Sequence, residues 1–500
     1  MRETLADILE KVYKVSKNNI VQSRLLSRRD RQRLLVAGFM QEVIKGWYIL
    51  IDPTRNEGES TSWYASFWNF IQIYLDQRLG TEYCLSAECS LDVWAESETI
   101  LPQLVVITKK ASTSVIKLPF NSSILIYHDE KNFPEEVVEK RGLRVMPLEL
   151  ALVRVSKSFF EQFPLNTELL LRQVSVSGVS RELVKKQAVS AAGCIARLYE
   201  KYGLEKEYCD IVESMKLAGF SIELRDEKVD QDAAFLPWGE KVQSPYSGRI
   251  QALWFEFRKE VIVHFNVEPT LKLQEADLLL DLEDIYVNDA YNSLSIEGYT
   301  VTAELIERVR NGNWDPSQPD DGRDRDILAV KGYRNAFEVV KNSVKKVFSG
   351  IDPGVVVEDD LQKWYRELFF PFVQLGVIAP ERLVGYRNHA VFIRNSRHVP
   401  PRSELVAELM ETYFRLLKNE TDGRVRAILG HFFFVYIHPY MDGNGRLGRF
   451  IMNLFLVTSG YPWTVIEVKR RKEYMESLEQ ASVKHTIVPF VNFVCSEVVK

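Results

Sequence analysis

Apolar residues recur at helical spacing over much of this chain. Leu5, Ile8, Leu9, Val12 and Tyr13 share one face, so residues 3–14 predict an amphipathic helix. A second helix is predicted from about Ser27, a candidate N-cap, to Phe39, with Gly38 near its end. From Glu42 to Ile51 the pattern changes, and strand-forming residues flank a tight turn at Lys45-Gly46. Helices followed by such a ribbon predict a winged-helix domain over residues 1–55. Residues 56–225 read as a mixed α+β domain, with β-rich runs at 102–108 and 123–127 and helical periodicity from 151 to 220. Pro237, Gly239, Pro245 and Gly248 punctuate a loop-rich stretch, so residues 226–274 are expected to connect domains. From about 275 to 500 the chain is expected to be helical. Its expected interruptions are the polar loop 311–325 and a β-prone piece at Val391-Phe392-Ile393. The fold class expected is multidomain and mainly α.

Composition narrows the function classes. Five hundred residues predict two to four domains at roughly 100–200 residues each. A 46% hydrophobic and 27% charged chain is not a disordered one. Cys84, Cys89, Cys194, Cys209 and Cys495 are scattered without a C-x-x-C, which argues against a zinc knuckle or a disulfide framework and for a cytoplasmic setting. No apolar run approaches the ~18 residues of a membrane span, so no membrane partner is expected. The first 50 residues hold ten Lys+Arg against five Asp+Glu, while the whole chain is at −5. A basic head on an acidic body suggests an anionic partner for the head alone.

The segment richest in chemistry is His438-Pro-Tyr-Met-Asp-Gly-Asn-Gly-Arg-Leu-Gly-Arg449, between two apolar helical runs. Gly443, Asn444 and Gly445 tolerate unusual backbone angles, so successive N–H groups can converge on one anion-binding nest. The nest opens onto a helix N-terminus, which also favours anions. Arg446 and Arg449, three apart, share a helical face and present planar forks to phosphate. Asp442 adds a hard oxygen suited to Mg²⁺. His438 is placed to accept a proton near neutral pH. Nine specified positions coincide, a chance match on the order of 10⁻¹¹ per start site, so a turn alone is a poor explanation.

This segment resembles the Fic (filamentation-induced-by-cAMP) motif, H-P-[FY]-x-[DE]-G-N-G-R-x-x-R, without departure. The similarity extends over roughly 275–495, including Gly385-Tyr-Arg387, Pro400-Pro401 and Asn453–Pro462. The resemblance implies an all-α Fic core with a small β-hairpin flap and transfer of AMP from ATP to a Tyr, Thr or Ser hydroxyl of a target protein. His438 would take the hydroxyl proton and Asp442 would hold Mg²⁺. Gly443, Asn444 and Gly445 would cradle the phosphates. Arg446 would meet the β-phosphate and Arg449 the γ-phosphate. Val391, Phe392 and Ile393 match the position of the family's target-docking flap.

Ser293-Leu-Ser-Ile-Glu297-Gly298 is similar to the family's inhibitory signature, [ST]-x-x-x-E-[GN]. A carboxylate reaching Arg449 would occupy the fork meant for the γ-phosphate. The same glutamate could instead align a water that removes AMP, and that choice stays open. The head is similar to AbiEi-like winged-helix antitoxin regulators. On that reading Arg28, Arg29, Arg31 and Arg33 face DNA phosphates, with Lys45 on the wing. Two further readings are a DNA-binding regulator whose Fic part senses nucleotide, and a transferase using another nucleotide or a phosphocholine-bearing donor.

Overall fold

Local rules account for where the elements begin. Thr4 and Asp7 form a capping box that starts α1 (Leu5–Val15). Ser27 Oγ accepts from the Asp30 N–H at the start of α2 (Arg28–Val36). The computed structural model describes residues 4–51, 61–97, 99–222, 236, 244–270, 275–313, 325–393 and 396–499. The chain divides into two units. One comprises Met1–Arg249 with Phe392–Val399, the other Ile250–Val391 with Pro400–Lys500.

In the first unit, β1 (Ile20–Gln22), β2 (Met40–Ile44) and β3 (Trp47–Leu50) make an antiparallel sheet in the order β1-β3-β2, with its turn at Lys45-Gly46. Ile8, Val12, Val21, Leu34 and Met40 close a small core between this sheet and the two helices. Next come α3 (Thr61–Leu79), β4 (Tyr83–Leu85), α4 (Ala87–Trp94), β5 (Gln103–Thr108), β6 (Ser114–Lys117) and β7 (Ser123–His128). Their sheet runs β4-β5-β7-β6, with β5 and β7 parallel and Val105 opposite Leu125. A short hairpin, β8 (Val138–Lys140) and β9 (Leu143–Val145), precedes six helices, α5 to α10, between Leu148 and Leu217. The expected β-runs and the expected return to helix both have counterparts here.

The second unit has helices and no strand among its described residues. It contains most of α11 (Pro245–His264), then α12 (Glu275–Ile296), α13 (Ala303–Arg310), α14 (Arg325–Phe348), α15 (Pro353–Gln374) and α16 (Val406–Asn419). After these come α17 (Gly423–Ile437), α18 (Asn444–Thr458), α19 (Arg471–Lys484) and α20 (Val488–Val498). α17 and α18 are buried on nearly every side and form the centre of this unit. The loop between them therefore starts and ends on fixed helices.

Two expectations need correction. Residues 226–274 are not all connection, because α11 spans twenty of them. Its Trp254 stacks on Phe433 at 5.5 Å, and Phe257 meets Phe432 edge-on at 5.6 Å. A helix buried on several faces has no clean polar stripe, which hides it from periodicity. The flap hairpin is also missing among the described residues. Val391, Phe392 and Ile393 are half-buried and form no strand. Nearby, His398 forms a single antiparallel bridge with Thr99 within the first unit. Residues 394–395, most of the 311–325 loop and much of 226–243 lie outside the described residues.

Candidate functional site

α17 ends at His438, whose backbone is left-handed at φ 54°. This non-glycine residue is held there by Arg387, which is buried. Arg387 Nε donates to His438 O at 2.7 Å, its Nη1 to His389 O at 3.0 Å, and its Nη2 to Ile437 O and Pro401 O. The Arg387 main-chain N–H adds a bond to Pro439 O at 2.9 Å. In the sequence, only resemblance points to Arg387. Its partners are main-chain carbonyls, which no side-chain pattern records. Arg387→Ala orphans several of these acceptors and is expected to cost about 2–5 kcal/mol, read as a fall in melting temperature.

His438 is ready to accept a proton. Its Nδ1 lies 3.1 Å from Val435 O, and a carbonyl can only accept, so Nδ1 carries the hydrogen and Nε2 keeps its lone pair. Burial pushes its pKa down to about 4, with the Arg387 charge adding to that effect. The imidazole is therefore neutral at pH 7. Activity that depends on this base is expected to hold down to about pH 5 and fall as the pH drops through about 4. A rate profile with its acid limb at 6.5 would contradict this assignment.

The rest of the loop is braced internally. Tyr440 stacks on Tyr365 at 3.8 Å, and its hydroxyl donates to Gln362 at 3.0 Å. Asn444 exchanges two hydrogen bonds with the Tyr440 backbone, at 2.8 and 3.0 Å. Its side chain thus staples the loop. Only Gly443 of the expected trio uses the left-handed region, at φ 85°; Asn444 and Gly445 lie in the first turn of α18. Gly445 matters for space, because a Cβ there would collide with the Glu297 carboxylate.

No side chain caps α18, so its first N–H groups stay available at the positive end of the helix dipole. Arg446 is completely buried, yet among the described residues its Nε and Nη1 have no hydrogen-bond partner. Its Nη2 lies 3.4 Å from Asp442 Oδ1. Burial opposes the Arg446 charge, but Asp442, Tyr299 and Glu297 more than offset that, and its pKa is raised. The Asp442 carboxylate is half-exposed and lines a cavity of about 190 Å³ shared with Tyr299 and Phe369. Groups of three or more metal-ligating side chains are absent among the described residues. One accessible carboxylate is still a donor set that fits Mg²⁺, a cation that usually binds through one or two carboxylates.

Arg449 is already occupied. Its Nε donates to Ser293 Oγ at 2.8 Å, and its Nη2 to Ser293 O at 3.0 Å and Glu297 Oε1 at 2.8 Å. Burial opposes its charge too, and the adjacent Glu297 carboxylate holds its pKa up. Ser293 and Glu297 sit one turn apart at the end of α12, and Gly298 follows at φ 88°. This helix is fastened along one polar face. Asp289 accepts from Tyr333 at 2.6 Å, Asn292 from the Val468 N–H at 2.8 Å, and Ile296 O from Arg471 at 2.8 Å. The motifs alone do not single out Asp289 and Asn292. Asp289 lies four residues, about one helical turn, before Ser293, and that spacing is the available signal.

The structure thus gathers His438, Asp442, Gly443, Asn444, Gly445, Arg446, Arg449, Ser293, Glu297 and Gly298 around one loop. His431 lies outside this loop. It is buried, its Nε2 bonds to Tyr474 OH at 2.7 Å, and burial drives its pKa down to about 3. Residues 355–456 match the Fic/DOC family model. This chain carries a Fic domain. Around that domain the chain is 29% identical over 222 residues to "Protein adenylyltransferase Fic" of Nematostella vectensis, covering 43% of this chain and 48% of that relative. The Drosophila yakuba protein of the same name is 30% identical over 224 residues, covering 43% and 41%. The chain thus spans less than half the length of these curated relatives. Among solved structures, a Fic domain containing signaling protein from Bacteroides thetaiotaomicron aligns at TM-score 0.37 and 19% identity, over 48% of this chain and 92% of that one. Fic-1 from C. elegans aligns at TM-score 0.37 and 19% identity, over 70% and 93%.

Proposed function

We propose that this chain transfers AMP from ATP to a Tyr, Thr or Ser hydroxyl of a target protein and that Glu297 holds it in check. The observation carrying this reading is the buried Arg446 fork, two of whose nitrogens have no hydrogen-bond partner among the described residues, beside an uncapped helix end. Buried donors are rarely left unpaired, and here they suit phosphate oxygens. Gly443, Asn444 and Gly445 supply the main-chain cradle, Arg446 faces the β-phosphate and Arg449 the γ-phosphate. His438 Nε2 takes the target's hydroxyl proton as that oxygen attacks the α-phosphorus. The bond to the bridging oxygen breaks, and pyrophosphate leaves. Mg²⁺, held through Asp442, would neutralise phosphate charge. Val391, Phe392 and Ile393 would dock the target segment.

Two radiolabels of ATP test the reading. Glu297→Gly protein incubated with Mg²⁺ should pass label to protein from α-labelled ATP and none from γ-labelled ATP. Label arriving from the γ position would mean phosphoryl transfer, and label from neither would remove the transferase.

A DNA-binding role for the head is a second proposal, favoured by the exposure of Arg28 and Arg29 at the start of α2 and of Lys45 at the strand turn. Arg31 and Arg33 are half-buried, and Arg31 is partly spent on Ser23 O at 3.4 Å and the Tyr48 ring. With about three phosphate contacts, log affinity is expected to fall against log salt with a slope near −3. Joint replacement of Arg28, Arg29 and Lys45 by alanine should flatten that slope. Absence of a gel shift at low salt would exclude the role.

A further inference from the structure

The end of α12 touches more than Arg449. Gly298 N–H donates to Ser295 O at 3.0 Å and Tyr299 N–H to Leu294 O at 3.1 Å. Together with the left-handed Gly298, these bonds form a Schellman motif, which fixes Tyr299 to the same helix end that carries Glu297. Tyr299 is buried, and the Arg446 guanidinium lies 5.4 Å from its ring centroid and 5.1 Å from that of Phe369. Phe369 packs against Gly443, where an added Cβ would stand 2.9 Å from its ring. Arg325 lies 5.2 Å from the Tyr299 centroid. A fork whose hydrogen bonding among the described residues is a 3.4 Å contact to Asp442 therefore takes its orientation mostly from two aromatic rings.

We propose that Tyr299 is a positioning residue for Arg446, so that one helix end governs both phosphate-facing arginines. Glu297 blocks Arg449, while Tyr299 keeps the unpaired edge of Arg446 turned toward the nest. This rests on the nucleotide reading above and adds a second contact to it. Glu297 and Tyr299 sit on one rigid cap, so a shift of the α12 end that frees Arg449 also changes what holds Arg446. Relief of inhibition then has two components, γ-phosphate access and β-phosphate grip.

Binding of AMP and ADP to the full chain separates these effects. ADP carries the β-phosphate but lacks the γ-phosphate that Glu297 opposes. Tyr299→Leu is expected to weaken ADP binding about tenfold while moving AMP binding less than about twofold, the loss of one desolvated cation–π contact. Tyr299→Phe, which keeps the ring, should bind ADP like the parent. Tyr299→Met replaces the leucine variant if that variant fails to melt cooperatively. Equal losses for AMP and ADP would reduce Tyr299 to ordinary packing and overturn the proposal, as would unchanged ADP binding in a parent that binds ADP. A parent binding neither ADP nor ATP would defeat the nucleotide reading itself, and the proposal with it.

Discussion

Glu297→Gly is expected to raise AMP transfer about 30- to 140-fold with Mg-ATP. The basis is the 2.8 Å contact between Glu297 and Arg449, in which a partly exposed carboxylate neutralises a buried guanidinium. A charge-assisted hydrogen bond of this kind is worth about 2–3 kcal/mol, and each 1.4 kcal/mol is a factor of ten. A γ-phosphate must displace the carboxylate to reach Arg449, so that energy is set against productive ATP binding. Removing the carboxylate also frees the space over Gly445, which a side chain in place of Gly445 could not share with Glu297. The variant should be less stable, because Arg449 stays buried without its carboxylate, held by Ser293 and other neutral groups. A higher rate with a lower melting temperature is the signature of a released latch. An unchanged rate would make the contact structural.

His438→Ala in the Glu297→Gly background is expected to lower transfer by 10²- to 10⁴-fold, the usual contribution of a positioned general base. Nucleotide affinity should change little, since the phosphate-facing groups follow His438 in the loop and on α18. The fold should survive, because the Arg387 bonds run to main-chain oxygens of this segment and not to the imidazole. A loss confined to the catalytic rate supports the base. An equal loss of nucleotide binding would mean that the imidazole only shapes the loop.

The legible parts of this molecule are those written locally. The twelve residues from His438 to Arg449 carry their own turn, helix start and charges, so residue types and spacing are enough to read the cradle. The partnership of Glu297 with Arg449 spans 152 positions and is accessible only through the resemblance to Fic proteins. Arg387 and Asn444 act on main-chain atoms, and such partners leave no mark in a side-chain pattern. α11 reads as connection because burial on several faces removes the polar stripe that signals a helix. The head follows its pattern closely, since a capping box, an N-cap serine and a turn at Lys45-Gly46 are short-range devices.

Intact-mass measurement of a target-bearing mixture after exposure to Glu297→Gly protein and Mg-ATP tests the central claim most directly. The account predicts a protein that gains one AMP, and no gain when His438→Ala is added. An unmodified mixture from the Glu297→Gly protein, or a gain that survives loss of the imidazole, would contradict it.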